Sequence, residues 1–426
     1  MTSRMTTGTR TTRTTDSLTR DALAVLQPGF DGTTAPDWLL RRIGEGLSSV
    51  GLFGRNISSA GQLATLTARL RAERDDLLVA IDEESGDVTR LEVGEGSSFP
   101  GNYALGTVDD PELTRSVAHE LGLRLAAAGA NLNWAPSADI NSDPGNPVIG
   151  VRSFGADPDL VARHTAAYVE GLQSAGVAAC TKHFPGHGDT SVDSHHLMPR
   201  IDVDLDLVHA RELLPFRAAI AAGSRCVMSA HILLPALDPD RPATLSPRIL
   251  NGLLREELGF DGLIVTDGID MQAIAAAYGI EHGSVLAIAS GADAICVGGG
   301  PSDEETVLRL RDALVAAVRT GELPEERLAE AAARVRALAD WTVEARNAPE
   351  PVRAAPEEIT LGPAIGLVAA RRAVRVTGSA EPLNEPAYVA ALTPVANIAV
   401  GDQTPWGVGT ELTRLLPGTG SGSYSG

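Results

Sequence analysis

VAACTKHFPG, residues 177–186, is a short apolar run that passes without a break into a lysine, a histidine and a Pro-Gly turn. Seven further runs are strand-like: ALAVLQPGF (22–30), SVGLFGRN (49–56), DLLVAIDEE (76–84), ANLNWAPSADI (130–140), RCVMSAHILL (225–234), GLIVTDGIDM (262–271) and ADAICVGGG (292–300). Between them lie amphipathic helical patterns with clear start signals: Asp110-Pro111, Ser246-Pro247 and Leu323-Pro324. Alternation alone fits either a doubly wound open sheet or a (β/α)8 TIM barrel. The strand ends favour the barrel. Six of the eight runs finish in polar or catalytic residue types or in glycines: Asp82-Glu83-Glu84, Asp139, Lys182-His183, Ser229 with His231, Asp267, and the glycines at 298–300. A barrel gathers such ends at one mouth, whereas an open sheet spreads them out.

Composition sets the frame around that pattern. The chain has 426 residues, 43% hydrophobic, with 44 Gly and 26 Pro, which suits a large folded core and excludes disordered and collagen-like classes. A net charge of −20 argues against nucleic acid as a partner. The first residues, MTSRMTTGTRTTRTTDSL, are polar, and no apolar run reaches the length of a membrane span, so no membrane association is expected. Cys180, Cys226 and Cys296 each sit in an apolar run and read as buried free thiols, consistent with a cytoplasmic protein. After about residue 345 a Pro/Ala/Glu-rich stretch precedes a helix-like AIGLVAARRAVRV, a strand-like PAYVAALTP and a terminal GTGSGSYSG. The expected division is a disordered tail over 1–20, the barrel over 21–345, and a linker with an incomplete C-terminal α/β segment over 346–426.

The densest chemistry is KHFPGHGDTSVDSHH (182–196), which holds four of the nine histidines and Lys182, the one lysine of the chain. His183 and His187 have the four-residue spacing of a zinc helix, but Pro185-Gly186 forbids that helix and no Glu follows His183, so no metal is expected. Asp193 and His195 suit proton transfer instead, the carboxylate orienting the imidazole. In VTDGIDM (265–271), Asp267 follows an apolar strand directly and points into the mouth, while Asp270 suits the cap of the next helix. Asp82, Arg90 and Arg152 supply the acceptors and forked donors that a hydroxyl-rich ligand needs.

These motifs, KHFPGHGDTSVDSH, IDEESGDVTRL (81–91), NPVIGVRSFG (146–155) and VTDGIDM, together resemble the β-N-acetylglucosaminidase branch of the family-3 glycoside hydrolases, in order over about residues 22–340. The resemblance implies a retaining, exo-acting hydrolase of terminal β-linked N-acetylglucosamine, acting on muropeptide- or chitin-type saccharides without a cofactor; oligomeric state is not legible in the chain, and a monomer is expected. It implies Asp267 as nucleophile and His195, held by Asp193, as acid/base. It assigns Asp82, Arg90, Arg152, Lys182 and His183 to sugar binding, with His231 near the site and included among the substrate-binding residues. Phosphorolysis of the same bond, β-glucosidase activity and a non-catalytic sugar-binding barrel are the alternatives. The family usually reads Asp-Gln-Glu-Gly-Gly-Arg where this chain has Asp82 to Asp87, and Glu83 and Asp87 are therefore expected to add negative charge at the mouth.

Overall fold

The computed structural model describes residues 17–190, 198–298, 300, 303–348, 364–378, 382–393, 400 and 407–425. All eight strand-like runs contain a strand: β1 (Leu26–Pro28), β2 (Ser49–Leu52), β3 (Leu78–Ile81), β4 (Leu132–Asn133), β5 (Ala178–Phe184), β6 (Cys226–Ser229), β7 (Leu263–Thr266) and β8 (Ile295–Val297). Helices follow each of them in turn. The three start signals hold. Asp110 Oδ1 accepts the Leu113 N–H at the head of helix Pro111–Ala127, Ser246 Oγ accepts the Ile249 N–H beside Arg248–Glu257, and Pro324 immediately precedes helix Glu325–Asn347.

Strands β2 to β7 form one parallel ladder in sequence order, and β8 pairs in parallel with β1. A single bridge, Val265 to Ala294, joins β7 to the start of β8. At the β1–β2 seam, Gln27 Nε2 donates to Ser49 Oγ at 2.5 Å. The result is a curled parallel sheet with helices outside it.

Strand periodicity explains how the two faces divide. Leu78 and Ala80, Leu132 and Trp134, Ala178 and Cys180, Cys226 and Met228, Leu263 and Val265, and Ala294 and Cys296 form a separate apolar cluster on the concave face. Val335, Leu338 and Ala339 of helix Glu325–Asn347 join that cluster. The alternate residues, Val79, Ile81, Ala179, Val227, Ile264 and Ile295 among them, pack outward in the larger cluster shared with the surrounding helices. The three cysteines are buried and free, all facing inward.

One boundary differs from expectation. Helix Ser17–Ala24 takes in residues assigned to the tail and the start of the first strand-like run, because Ala22, Leu23 and Ala24 bury a helical face instead of a strand face. In the C-terminal part, helix Ile365–Ala373 buries Ile365 and Ala369, and Arg372 pairs with Asp110 at 2.8 Å. Further on, β9 (Tyr388–Thr393) and β10 (Gly420–Ser425) pair in parallel around helix Gly409–Leu415, a βαβ unit. No single helix among the described residues is long and apolar enough to cross a membrane.

Candidate active site

The site residues after β3 and β7, and those within the end of β5, keep the parity of their strands. Inward-facing Leu78 and Ala80 put Asp82 and Glu84 on the concave side, while Glu83 turns away. Ala178 and Cys180 do the same for Lys182. A register shift between Thr181 and Phe184 then lets His183 join Lys182 at the same end, where the Lys182–His183 peptide is cis. Leu263 and Val265 do it for Asp267.

These side chains build one buried charged cradle. Lys182 Nζ lies 2.5 Å from Asp82 Oδ1 and 2.6 Å from Glu84 Oε1. Arg152 grips Glu84 with both prongs, Nε to Oε2 at 2.9 Å and Nη2 to Oε1 at 2.6 Å. Arg90 reaches Asp82 Oδ2 at 3.3 Å. Burial works against the Glu84 carboxylate, but Arg152 and Lys182 more than offset it and hold its pKa well below the usual range. Burial likewise opposes the charge on Lys182 and Arg152, and the facing carboxylates raise both above their ordinary values. Deleting any member would strand its partners as buried charges, a loss of about 3–5 kcal/mol.

Asp139 is a second hub, and it is entirely buried. Its Oδ2 lies 2.7 Å from His183 Nδ1, and its Oδ1 accepts the His187 backbone N–H at 2.7 Å and the His183 N–H at 3.1 Å. Against the cost of burial, the charge and hydrogen bonds of His183 bring its pKa down to about 2, so the carboxylate is ionised throughout the neutral range. His183 Nε2 in turn sits 3.5 Å from Arg152 Nη2, which ties the Asp139 hub to the cradle. His187 pairs through Nδ1 with Thr190 Oγ1 at 2.8 Å; burial and then the neighbouring His183 lower its pKa to about 4, leaving it uncharged at neutral pH.

Asp267 is half-buried, and its Oδ1 accepts the Gly268 N–H at 2.7 Å. Burial raises the thiol of Cys296, and the carboxylates of Asp267, Asp270 and Asp82 raise it further. Asp82, Arg90, Arg152, Lys182 and His183 are thus brought together as expected, with Asp267 at the same end. Asp193 and His195 lie outside the described residues.

Two expectations are corrected, for Glu83 and Asp270, and His231 is placed. His231, expected near the substrate, is fully buried, with Nε2 2.9 Å from the Gly268 carbonyl and Nδ1 2.9 Å from Thr244 Oγ1. Strand parity gives the reason: inward Cys226 and Met228 send Ser229 and His231 to the outer face, where His231 supports the Asp267 turn from behind. Glu83 does not face the mouth either; it is buried and accepts the backbone N–H groups of Arg90 (2.7 Å) and Leu91 (2.9 Å). Asp87 alone adds acidity there, lining a 360 Å3 cavity with Glu84, Tyr103, Val151 and Arg152. Asp270 is no helix cap: its two oxygens accept the Gly298 and Gly300 N–H groups at 3.2 and 2.7 Å and tie down the loop after β8.

Glu84 and Asp139 are the site residues whose roles the sequence reading missed. The period-2 count from Leu78 would have found Glu84. Asp139 is marked in the sequence only as a polar strand end; no local signal gives its role, because its partners lie more than forty residues on, at 183 and 187. Among the described residues no group of His, Cys, Asp and Glu is arranged to hold a metal ion.

Residues 29–338 match the glycosyl hydrolase family 3 N terminal domain. Beta-hexosaminidase A of Pseudoalteromonas piscicida is 36% identical over 311 residues, covering 67% of this chain and 52% of that protein; this chain spans about half the length of that relative. Beta-hexosaminidase of Chromobacterium violaceum is 36% identical over 331 residues, 74% of this chain and 90% of that one. Among solved structures, a glycoside hydrolase family 3 beta-N-acetylglucosaminidase from Paenibacillus sp. str. FPU-7 superposes with a TM-score of 0.85 at 37% identity, covering 96% of this chain and 80% of that one. NagZ from Neisseria gonorrhoeae, in complex with N-trifluoroacetyl-D-glucosamine, superposes with a TM-score of 0.65 at 29% identity, covering 82% of this chain and 98% of that one.

Proposed function

The chain belongs to family 3 of the glycoside hydrolases, and from that premise we propose that it is a retaining, exo-acting β-N-acetylglucosaminidase built on a (β/α)8 barrel. The observation that carries the reading is the pairing of a buried, ion-paired cradle around Glu84 with a nearby carboxylate, Asp267, held by a backbone N–H at 2.7 Å. A sugar entering the cradle meets carboxylate acceptors at Asp82 and cationic donors at Lys182, Arg90 and Arg152, a set that suits vicinal hydroxyls. Because those charges are already paired and fixed, little reorganisation accompanies binding.

In the proposed reaction, an Asp267 carboxylate oxygen attacks the anomeric carbon as the bond to the aglycone oxygen breaks, and that oxygen takes a proton from His195. His195, oriented by Asp193, then removes a proton from water, which attacks the same carbon and releases Asp267. His231, by anchoring the Gly268 carbonyl at 2.9 Å, keeps the Asp267 turn in place. The named relatives support N-acetylglucosamine as the sugar; terminal residues of muropeptide- or chitin-type saccharides are the substrates this reading proposes. Peptidoglycan turnover in the cytoplasm, by a monomer, is the setting this reading proposes; buried free cysteines suit a reducing compartment.

The test is turnover of 4-nitrophenyl N-acetylglucosaminide and 4-nitrophenyl glucoside, each with and without phosphate. We expect free N-acetylglucosamine as the product, a fall in kcat of about 10³-fold or more in Asp267→Ala, and a fluorosugar adduct on Asp267 by mass spectrometry. N-acetylglucosamine 1-phosphate as the main product would replace hydrolysis by phosphorolysis; unchanged turnover in Asp267→Ala would end the catalytic reading.

A further inference from the structure

At the opposite end of the sheet from the cradle lies a cavity of 670 Å3. Its wall includes Ala130 and Asn131, which lead into β4, Gly176, which precedes β5, and the last residues of helix Glu325–Asn347. Most of its polar side chains are committed within the protein. Asn131 donates to the Leu77 carbonyl and Thr342 Oγ1 and accepts from Val79, and Gln173 donates to the Gly223 carbonyl and accepts from Ala179 and Arg225. His119 pairs with Ser174 Oγ at 2.7 Å.

Arg71 is the exception. It ends helix Ala60–Arg71, and its Nε is buried without a hydrogen-bond partner. Burial, followed by repulsion from Arg346, lowers its pKa to about 10, and Asp75 only partly counters this. Asp75 already pairs with Arg346 at 2.8 Å, at an exposed position. An arginine at a helix C-terminus ordinarily donates to the last carbonyls; Arg71 makes no such bond among the described residues. A half-buried cation with its Nε shut away from water and unpaired, beside a second cation, costs stability unless an anion completes it. The rest of the wall, Leu123, Ala126, Ala175 and Ala345, is apolar.

We propose that this cavity is a binding site for a small organic anion, whose carboxylate or phosphate oxygens pair with Arg71 and Arg346 while its body lies against the apolar wall. The site is separate from the cradle and does not depend on the glycosidase reading. Its two sources of anionic oxygen are separated by calorimetric titration of the full chain with benzoate in one arm and inorganic phosphate in the other, in chloride buffer of matched ionic strength. We expect saturable one-site binding in at least one arm, weakened more than about tenfold in Arg71→Met and severalfold in Arg346→Gln. In the chloride buffer without benzoate or phosphate, Arg71→Met should melt no lower than the parent chain, because a guanidinium without a hydrogen-bond partner among the described residues gives way to an apolar tip of similar length. Arg346→Gln lies on the surface and keeps the test open if Arg71→Met does not fold. Absence of binding in both arms, or affinity unchanged in either variant, overturns the proposal.

Discussion

Glu83 and Glu84 are adjacent and chemically identical, yet their surroundings drive them to opposite states. Glu84 faces two cations and stays ionised; Glu83 is buried without a strong cationic partner, and desolvation lifts its pKa to about 7 despite the N–H bonds from Leu91 and Arg90. Between the ordinary value of 4.5 and about 7, the folded chain holds a proton at Glu83 that the unfolded chain has released. Stability from this group is therefore complete below pH 4.5 and declines as pH rises through 7, by up to about 3 kcal/mol. Glu83→Gln keeps an oxygen for the two backbone donors and removes the titration. Its melting temperature should match the parent chain near pH 5 and exceed it increasingly towards pH 8; a difference that does not vary with pH in scanning calorimetry would count against the assignment. Reading the acidic triplet as a uniform patch misjudges it, because alternate residues leave a strand end on opposite sides.

At the level of elements, the histidine-bearing loop after β5 is held by the loop after β4. Asn146 Nδ2 donates to the carbonyls of His187 and Gly188 at 2.9 and 3.1 Å, and Asp139 takes the N–H groups of His183 and His187. Gly188 is where the two loops come closest: a Cβ there would lie 1.5 Å from the Ile140 carbonyl oxygen. Gly188→Ala must therefore push the loops apart and displace His187, Asp189 and Thr190. We expect the free energy of urea unfolding to fall by about 2–4 kcal/mol, with turnover falling alongside it while the far-ultraviolet circular dichroism stays native. The strands and loops of this region were legible in VAACTKHFPG, whose hydrophobic run and Pro-Gly stop are local signals. Their interlock was not, since its partners are separated by about forty residues in the chain.

For the molecule as a whole, the C-terminal part is joined to the parallel-sheet region through helix Ile365–Ala373, by Ile365, Ala369, the Arg372–Asp110 pair and an Arg375 bond to the Thr107 carbonyl at 2.7 Å. No cradle residue comes from it. Deleting residues 351–426 should leave turnover per folded molecule largely intact and lower stability by about 1–3 kcal/mol through the uncovered apolar contact. A thermal melt and a nitrophenyl glycoside assay on the truncated chain check both; loss of turnover in a folded product would show that the segment serves the chemistry. The alternating pattern, the helix start signals and the polar strand ends were sufficient by themselves to call for a parallel α/β sheet with its chemistry at one mouth, because periodicity and capping are properties of neighbouring residues. Tertiary structure alone decided that Glu84 is the centre of the cradle, that Asp139 orients His183, that His231 stands behind the Asp267 turn, and that Arg71 faces a cavity unpaired. Burial and charge pairing arise between segments tens of residues apart, and no local sequence signal encodes which partner a buried charge will meet.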